Sequence, residues 1–187
     1  MQSDEGLTKT LGFKEGKYIG DPINAVKIFN EKEADELMIL DIDASNLNYE
    51  PKFDLISKIS AECRMPLCYG GGIKNPKQAE KIIDMGVEKV AISSAAIEND
   101  SLIKDISSAV GKQSVVVILD VKKKTGFFRK GYEVFTLNGS KNSEINLEET
   151  LMRLQENGVG EIVINSIDND GRMCGYDIEL AQNIKSK

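Results

Sequence analysis

Three times along the chain a charged residue stands directly before a short apolar run that ends in small or acidic residues. The starts are Asp35-Glu36-Leu37, Glu88-Lys89-Val90 and Gly160-Glu161-Ile162, and the ends are Asp41 to Ser45, Ser93 to Ala96, and Ser166 to Gly171. Runs such as Glu36 to Asp43 and Val115 to Leu119 are almost continuously apolar, which marks strands buried on both faces in a parallel sheet. Between them lie helical stretches with their own start and stop signals. Asp21-Pro22 supplies an N-cap carboxylate and a proline in the first turn, Asn75-Pro76 repeats the device, and Gly86 and Gly111 end helices.

The pattern predicts a short extended piece over 6–13 and helices from 22, near 51–62, from 76 to about 85, 100–110, 146–157 and from 176, alternating with strands at 36–43, 66–69, 89–93, 114–120 and 161–165. Alternation of this kind gives an α/β protein with a parallel sheet. Because polar groups end nearly every strand, a (β/α) barrel of the TIM type, with chemistry gathered at the C-terminal rim, is preferred over an open doubly wound sheet. The rhythm breaks after Val121. Phe127-Phe128 and Tyr132 to Thr136, flanked by glycines, read as a hairpin inserted at about 122–138 in an otherwise single domain covering 1–187.

Composition narrows the function classes. A net charge of −6 and a pI near 4.9 give no basic face for nucleic acid, the Lys122 to Lys124 run being short. There is no histidine, and Cys63, Cys68 and Cys174 lack zinc spacing, so no metal is expected. Their odd number fits reduced thiols in a cytoplasmic protein. No apolar run approaches the roughly 20 residues of a membrane span.

Several residues at strand ends could carry chemistry. Asp120 follows Val115 to Leu119, so its carboxylate would be partly desolvated and suited to proton transfer, or would cap the following turn. Asp41 and Asp43 share a face, as site or turn residues. Gly70, Gly71 and Gly72 join a strand to a helix N-terminus. Three successive glycines form either an anion site of backbone N–H groups or a tight connection. Ser93 and Ser94 stand beside them as further donors, or simply open a helix. Asp168, Asp170 and Gly171 suit either substrate hydroxyls or an Asx turn. At the opposite strand ends, Glu36, Lys89 and Glu161 would meet as an ion cluster on a barrel floor.

GDPINAVKIF, ADELMILDIDAS, PLCYGGGIKNPKQAEKII, GVEKVAISSAAIEND, VVVILDVK and GEIVINSIDNDGRMCGYD, in that order, resemble the cyclase (synthase) subunit of imidazole glycerol phosphate synthase over almost the whole chain. The resemblance implies a TIM (β/α)8 barrel that receives ammonia from a glutaminase subunit in a heterodimer. With that ammonia it cleaves a phosphoribosyl formimino ribonucleotide and closes an imidazole ring, a step of histidine biosynthesis that needs no cofactor. It implies catalysis by Asp120 and by an aspartate ending the first strand, for which the chain shows no counterpart. Substrate and phosphate contacts would fall to Lys9, Gly71, Gly72, Ser93, Ser94, Asp170 and Gly171, with Ser93 replacing a family asparagine. Glu36, Lys89 and Glu161 would gate ammonia entry.

By the same resemblance the barrel is incomplete, lacking the first strand and the last two βα units. The chain alone is therefore expected neither to close a stable eight-stranded barrel nor to be active. Details such as KYIGDPINAVKIFNEKEADEL and CYGGGIK resemble a paralogous branch associated with surface polysaccharides. That branch implies an alternative, a non-cyclising homologue that docks a glutaminase and delivers ammonia for amidination of a sugar.

Overall fold

The computed structural model describes residues 6–14, 16–125 and 131–185. Its centre is a run of parallel strands, β3 (Leu37–Leu40), β4 (Leu67–Gly70), β5 (Lys89–Ile92), β6 (Val115–Lys123) and β9 (Glu161–Ser166), paired in that spatial order. Helices α1 (Pro22–Glu31), α2 (Phe53–Glu62), α3 (Pro76–Asp84), α4 (Ser94–Glu98), α5 (Asp100–Val110), α6 (Leu147–Glu156) and α7 (Ile178–Lys185) fill the connections. The first strands, β1 (Leu7–Lys9) and β2 (Lys17–Gly20), pair with each other as a separate antiparallel hairpin. β1 falls within the extended piece expected over 6–13, whereas β2 and the pairing have no counterpart among the expected elements, because the strands are short and mostly exposed.

Side chains of a strand alternate between faces, and here the alternation separates two cores. Leu37, Ile39, Leu67, Tyr69, Val90, Ile92, Val115, Val117, Leu119, Ile162 and Ile164 face the helices, where they pack with Ile56, Ile82, Ile103, Ile106 and Leu154. The intervening residues Met38, Cys68, Ala91, Val116, Ile118 and Val163 form a smaller cluster on the other face. Both faces are therefore apolar, as the continuous runs in the sequence require.

The second face is concave. Lys89 Nζ lies 3.0 Å from Glu36 Oε1 and 2.9 Å from Glu161 Oε2, although Glu36 precedes β3 and Glu161 opens β9. In a flat sheet these outer strands would be about 19 Å apart, too far for two glutamates to meet on one ammonium. The sheet must curl to bring them together. The curl makes β3 to β9 a barrel-type wall whose inner side holds the smaller cluster.

β6 is longer than its parallel neighbours. Past the last residue paired with β5, Val117, its edge is taken over by β7 (Tyr132–Thr136), antiparallel and in register from Asp120↔Phe135 to Lys123↔Tyr132. β8 (Lys141–Asn146) pairs with β7 and carries the antiparallel segment on to Asn146, past the boundary near 138 that the sequence suggested. Its exposed, polar sequence KNSEIN gives no strand signal, and pairing to β7 is what orders it. Phe127 and Phe128 of the expected hairpin lie outside the described residues.

The helix signals act as they read. Asp21 accepts from the N–H of Asn24 at 2.9 Å, Asn75 from that of Gln78 at 3.0 Å, and Gly111 closes α5 at φ 86°. Gln78 reaches back to the N–H of Lys74 at 2.8 Å, so both sides of the turn into α3 are held. Replacing Asn75 by Ala should lower the unfolding free energy by about 1 kcal/mol, with Asn75→Asp close to neutral, as read from urea denaturation midpoints.

Candidate functional site

Continuing the inner face toward the C-terminal strand ends replaces apolar residues by polar ones. On β6 the inward series Val116, Ile118 ends in Asp120, and on β9 Glu161, Val163 ends in Asn165, the two ends paired in register. They open into a cavity of about 480 Å3 lined also by Asp41, Ser45 and Asn48 after β3, Gly70 to Lys74 after β4, Ser93 to Ala95 after β5, and Asp170 after β9. Thr10 and Phe13 of the β1–β2 connection and Leu137 and Asn138 of the β7–β8 turn complete the wall. The β1–β2 connection is tied across the site, with Thr10 Oγ1 donating to Asp170 Oδ2 at 3.2 Å and the Gly12 N–H to Asp170 O at 3.0 Å.

Asp120 is 7% exposed. Burial pushes its carboxyl up to about 7, and the negative charge of Asp170 adds to the rise. Against this, Asn165 Nδ2 donates to Asp120 Oδ1 at 3.4 Å and favours the ionised form. The group therefore changes charge near neutrality, which suits a residue that both takes and returns a proton. Sequence reading passed over Asn165, although an amide at the inward position of the run EIVIN was the signal.

The glycine turn is crowded by protein backbone. At Gly71, φ 119°, a Cβ would lie 2.5 Å from the carbonyl oxygen of Asp41, and at Gly72, φ 74°, 2.8 Å from that of Tyr49. Glycine is required there to seat β4 against the β3–α2 loop, and both residues also line the cavity. Asp41 is held by Tyr49 Oη at 2.7 Å, by the Asp43 N–H at 3.2 Å and by Lys52 Nζ at 3.6 Å, whereas Asp43 does not line the cavity. Burial and the bond to Asp41 raise the Tyr49 phenol above its ordinary value.

Ser93 and Ser94 lie side by side at the start of α4. Ser94 Oγ accepts from the Leu137 N–H at 2.8 Å, so it anchors the β7–β8 turn while its own hydroxyl proton remains available to a ligand. Gly71, Gly72, Ser93, Ser94, Asp120 and Asp170 thus share one cavity. Gly171 packs behind it, where a Cβ would fall 2.1 Å from the Thr10 carbonyl oxygen. Lys9 is exposed on β1 and does not line the cavity. Glu36, Lys89 and Glu161 meet at the far end of the inner face, and their hydrogen bonds raise the Lys89 ammonium above its ordinary value. Next to that cluster Cys68 is fully buried; its thiol is pushed up to about 12, chiefly by burial, and stays protonated.

A curled, mostly parallel α/β sheet with a polar cavity at its strand ends defines a barrel-type small-molecule site. A family model described as histidine biosynthesis protein matches residues 5–187. A protein of Vibrio vulnificus, provisionally named an imidazole glycerol phosphate synthase subunit hisF3, is 54% identical over 100% of this chain and 71% of its own length. The imidazole glycerol phosphate synthase subunit HisF of Lactococcus lactis is 36% identical over 95% of this chain and 68% of its own, and that of Thermotoga sp. strain RQ2 is 36% identical over 97% and 70%. The chain belongs to this histidine biosynthesis family, among proteins of the HisF type. Among the described residues no helix is long and apolar enough to cross a membrane.

The raised Asp120 pKa makes a signed stability prediction. With a folded value near 7 and an unfolded one near 3.9, the protonated carboxyl contributes stability fully below pH 4, and this contribution is lost as pH rises through 7. Asp120→Asn should therefore gain stability relative to the parent as pH rises from 4 to 8, by a few kcal/mol at most. Denaturant midpoints measured across that range check it.

Proposed function

We propose that this protein is the ammonia-receiving cyclase subunit of an imidazole glycerol phosphate synthase, acting in the cytoplasm with a glutaminase subunit on a phosphoribosyl formimino ribonucleotide. The observation that carries this reading is the axial order of the inner face. A charged ring of Glu36, Lys89 and Glu161 leads to an apolar layer, Met38, Cys68, Ala91, Val116, Ile118 and Val163, and then to Asp120 in the polar cavity. That order suits a small neutral nitrogen nucleophile delivered from below. The ring would admit it, the apolar layer would keep it uncharged and away from water, and Asp120 would receive it.

In this reading Asp120 takes a proton from the attacking nitrogen and returns one to the leaving group. A carboxyl that titrates near 7 holds enough of each form for both tasks. Gly71, Gly72, Ser93 and Ser94 hold one substrate phosphate through backbone and hydroxyl donors. Asp170 and Gly171 serve the opposite end, and Lys9 reaches in when the β1–β2 connection closes. We assign the barrel as incomplete within this chain, with further β/α units meeting the outer edges of β3 and β9. The two outer strands, each with one parallel neighbour among the described residues, support this.

Two nitrogen sources separate the roles. In the complete subunit paired with its glutaminase, Asp120→Asn should lower ring closure by at least about 100-fold with either glutamine or ammonium salts, leaving docking intact. Lys89→Met should impair the glutamine-dependent reaction and spare the ammonium-dependent one. Unchanged turnover in Asp120→Asn refutes its role. Absence of ring closure in the parent, with ammonia transfer that survives Asp120→Asn and is lost in Lys89→Met, would instead make the non-cyclising homologue the better reading.

A further inference from the structure

We propose that Asn165 is a positioning residue for Asp120, holding carboxyl oxygen Oδ1 against β9 so that Oδ2 is the oxygen presented to the ligand. The inference deepens the reading of Asp120 as the acid/base and rests on it for its catalytic meaning. Its test reads a titration that does not depend on which reaction the site performs.

The geometry starts from the strand register. Asp120 and Asn165 are Cα partners in the β6–β9 ladder, and both follow the inward positions of the apolar layer, Ile118 and Val163. Adjacent parallel strands thus set the two side chains next to one another without any loop. An asparagine is a poor strand residue, and an apolar side chain would extend the inner layer by another turn of the alternation. A partly buried amide must also find partners. The partner of this one is Oδ1 of Asp120, at 3.4 Å. That distance lies at the long end for a hydrogen bond, as is common for catalytic contacts before a ligand closes them. Among the described residues Oδ2 has no hydrogen-bond partner.

The chemistry fits an amide better than the alternatives. Its NH2 group donates to Oδ1 both when Asp120 is ionised and when it carries its proton on Oδ2, where the ligand can receive it. One side chain can therefore hold Asp120 in either protonation state. A leucine could hold neither, and an acidic residue would add a second like charge. One charged group beside Asp120, Asp170 on the turn after β9, opposes its ionisation. Asp41 and Glu98 line the same cavity with Lys74 as the cation. Asn165 is the neutral donor set against Asp170.

The experiment is a carbon-13 NMR titration of the Asp120 carboxyl in the parent, Asn165→Leu and Asp170→Asn chains. Loss of the donor should move the Asp120 midpoint upward by about one pH unit, while loss of the Asp170 charge should move it down. A generally loosened site, by contrast, would relax the midpoint toward the ordinary carboxylate range in both variants. In the parent protein the side-chain amide protons of Asn165 should titrate with the same midpoint as Asp120, which keeps the inference testable if Asn165→Leu does not fold. An Asp120 midpoint in Asn165→Leu equal to the parent's, or parent Asn165 amide signals that ignore the Asp120 titration, would overturn it. Failure of ring closure in the parent would instead count against the proposed function, because the titration stands apart from it.

Discussion

Everything in this molecule depends on strands that are buried on both faces. A parallel strand covered by helices on one side and curled around an axis on the other must be apolar at every position along its middle. It is free to carry charge or polarity only at its ends. Glu36, Lys89 and Glu161 occupy one end of the inner face, and Asp120 and Asn165 the other. The distribution of polar residues along the strands therefore follows from the same constraint that makes the sheet. The Lys89 contacts add to this by fixing the curvature, since one ammonium joins strands that lie two places away on either side.

The inner layer includes smaller side chains than the outer one. Outer positions hold Ile, Leu and Val against the helices, whereas Cys68 and Ala91 stand in the middle of the inner face. Small residues let the curved wall close without overfilling its interior. Cys68 behaves there as a compact apolar group with an unreactive thiol. The polar cavity above falls within the size range of small-molecule sites and is lined by the glycine turn, the paired serines and Asp170.

Much of this could be read from the sequence because it was local. Charge before an apolar run marks a strand entry, Asp21-Pro22 and Asn75-Pro76 mark helix starts, and the position of Asp120 after Leu119 places its carboxylate at a strand end. The parts that could not be read depend on contacts between distant segments. β8 is polar and exposed and exists as a strand through its ladder to β7. The β1–β2 hairpin docks through Thr10 and Gly12 on Asp170, which no periodicity announces. Ser94 looked like a ligand donor, and its bond to Leu137 gives it a second task. Asn165 was hidden because its partner lies one strand away in space and 45 residues away in the chain.

The succession of partners along β6 sets how this part of the protein moves. One edge of the strand is met first by β5 and then by β7, and the other by β9 from Val116 to Val121. At Asp120 and Val121 the backbone is thus flanked on both sides at once. Segments of that kind open only when a large part of the fold opens with them, whereas hairpins joined at one edge, such as β1–β2, open at small cost. Amide exchange should accordingly be slow around the Asp120 peptide and fast in the hairpin that covers it. A firmly held carboxyl beneath a cover that opens more readily lets access to the cavity change without disturbing the geometry of Asp120.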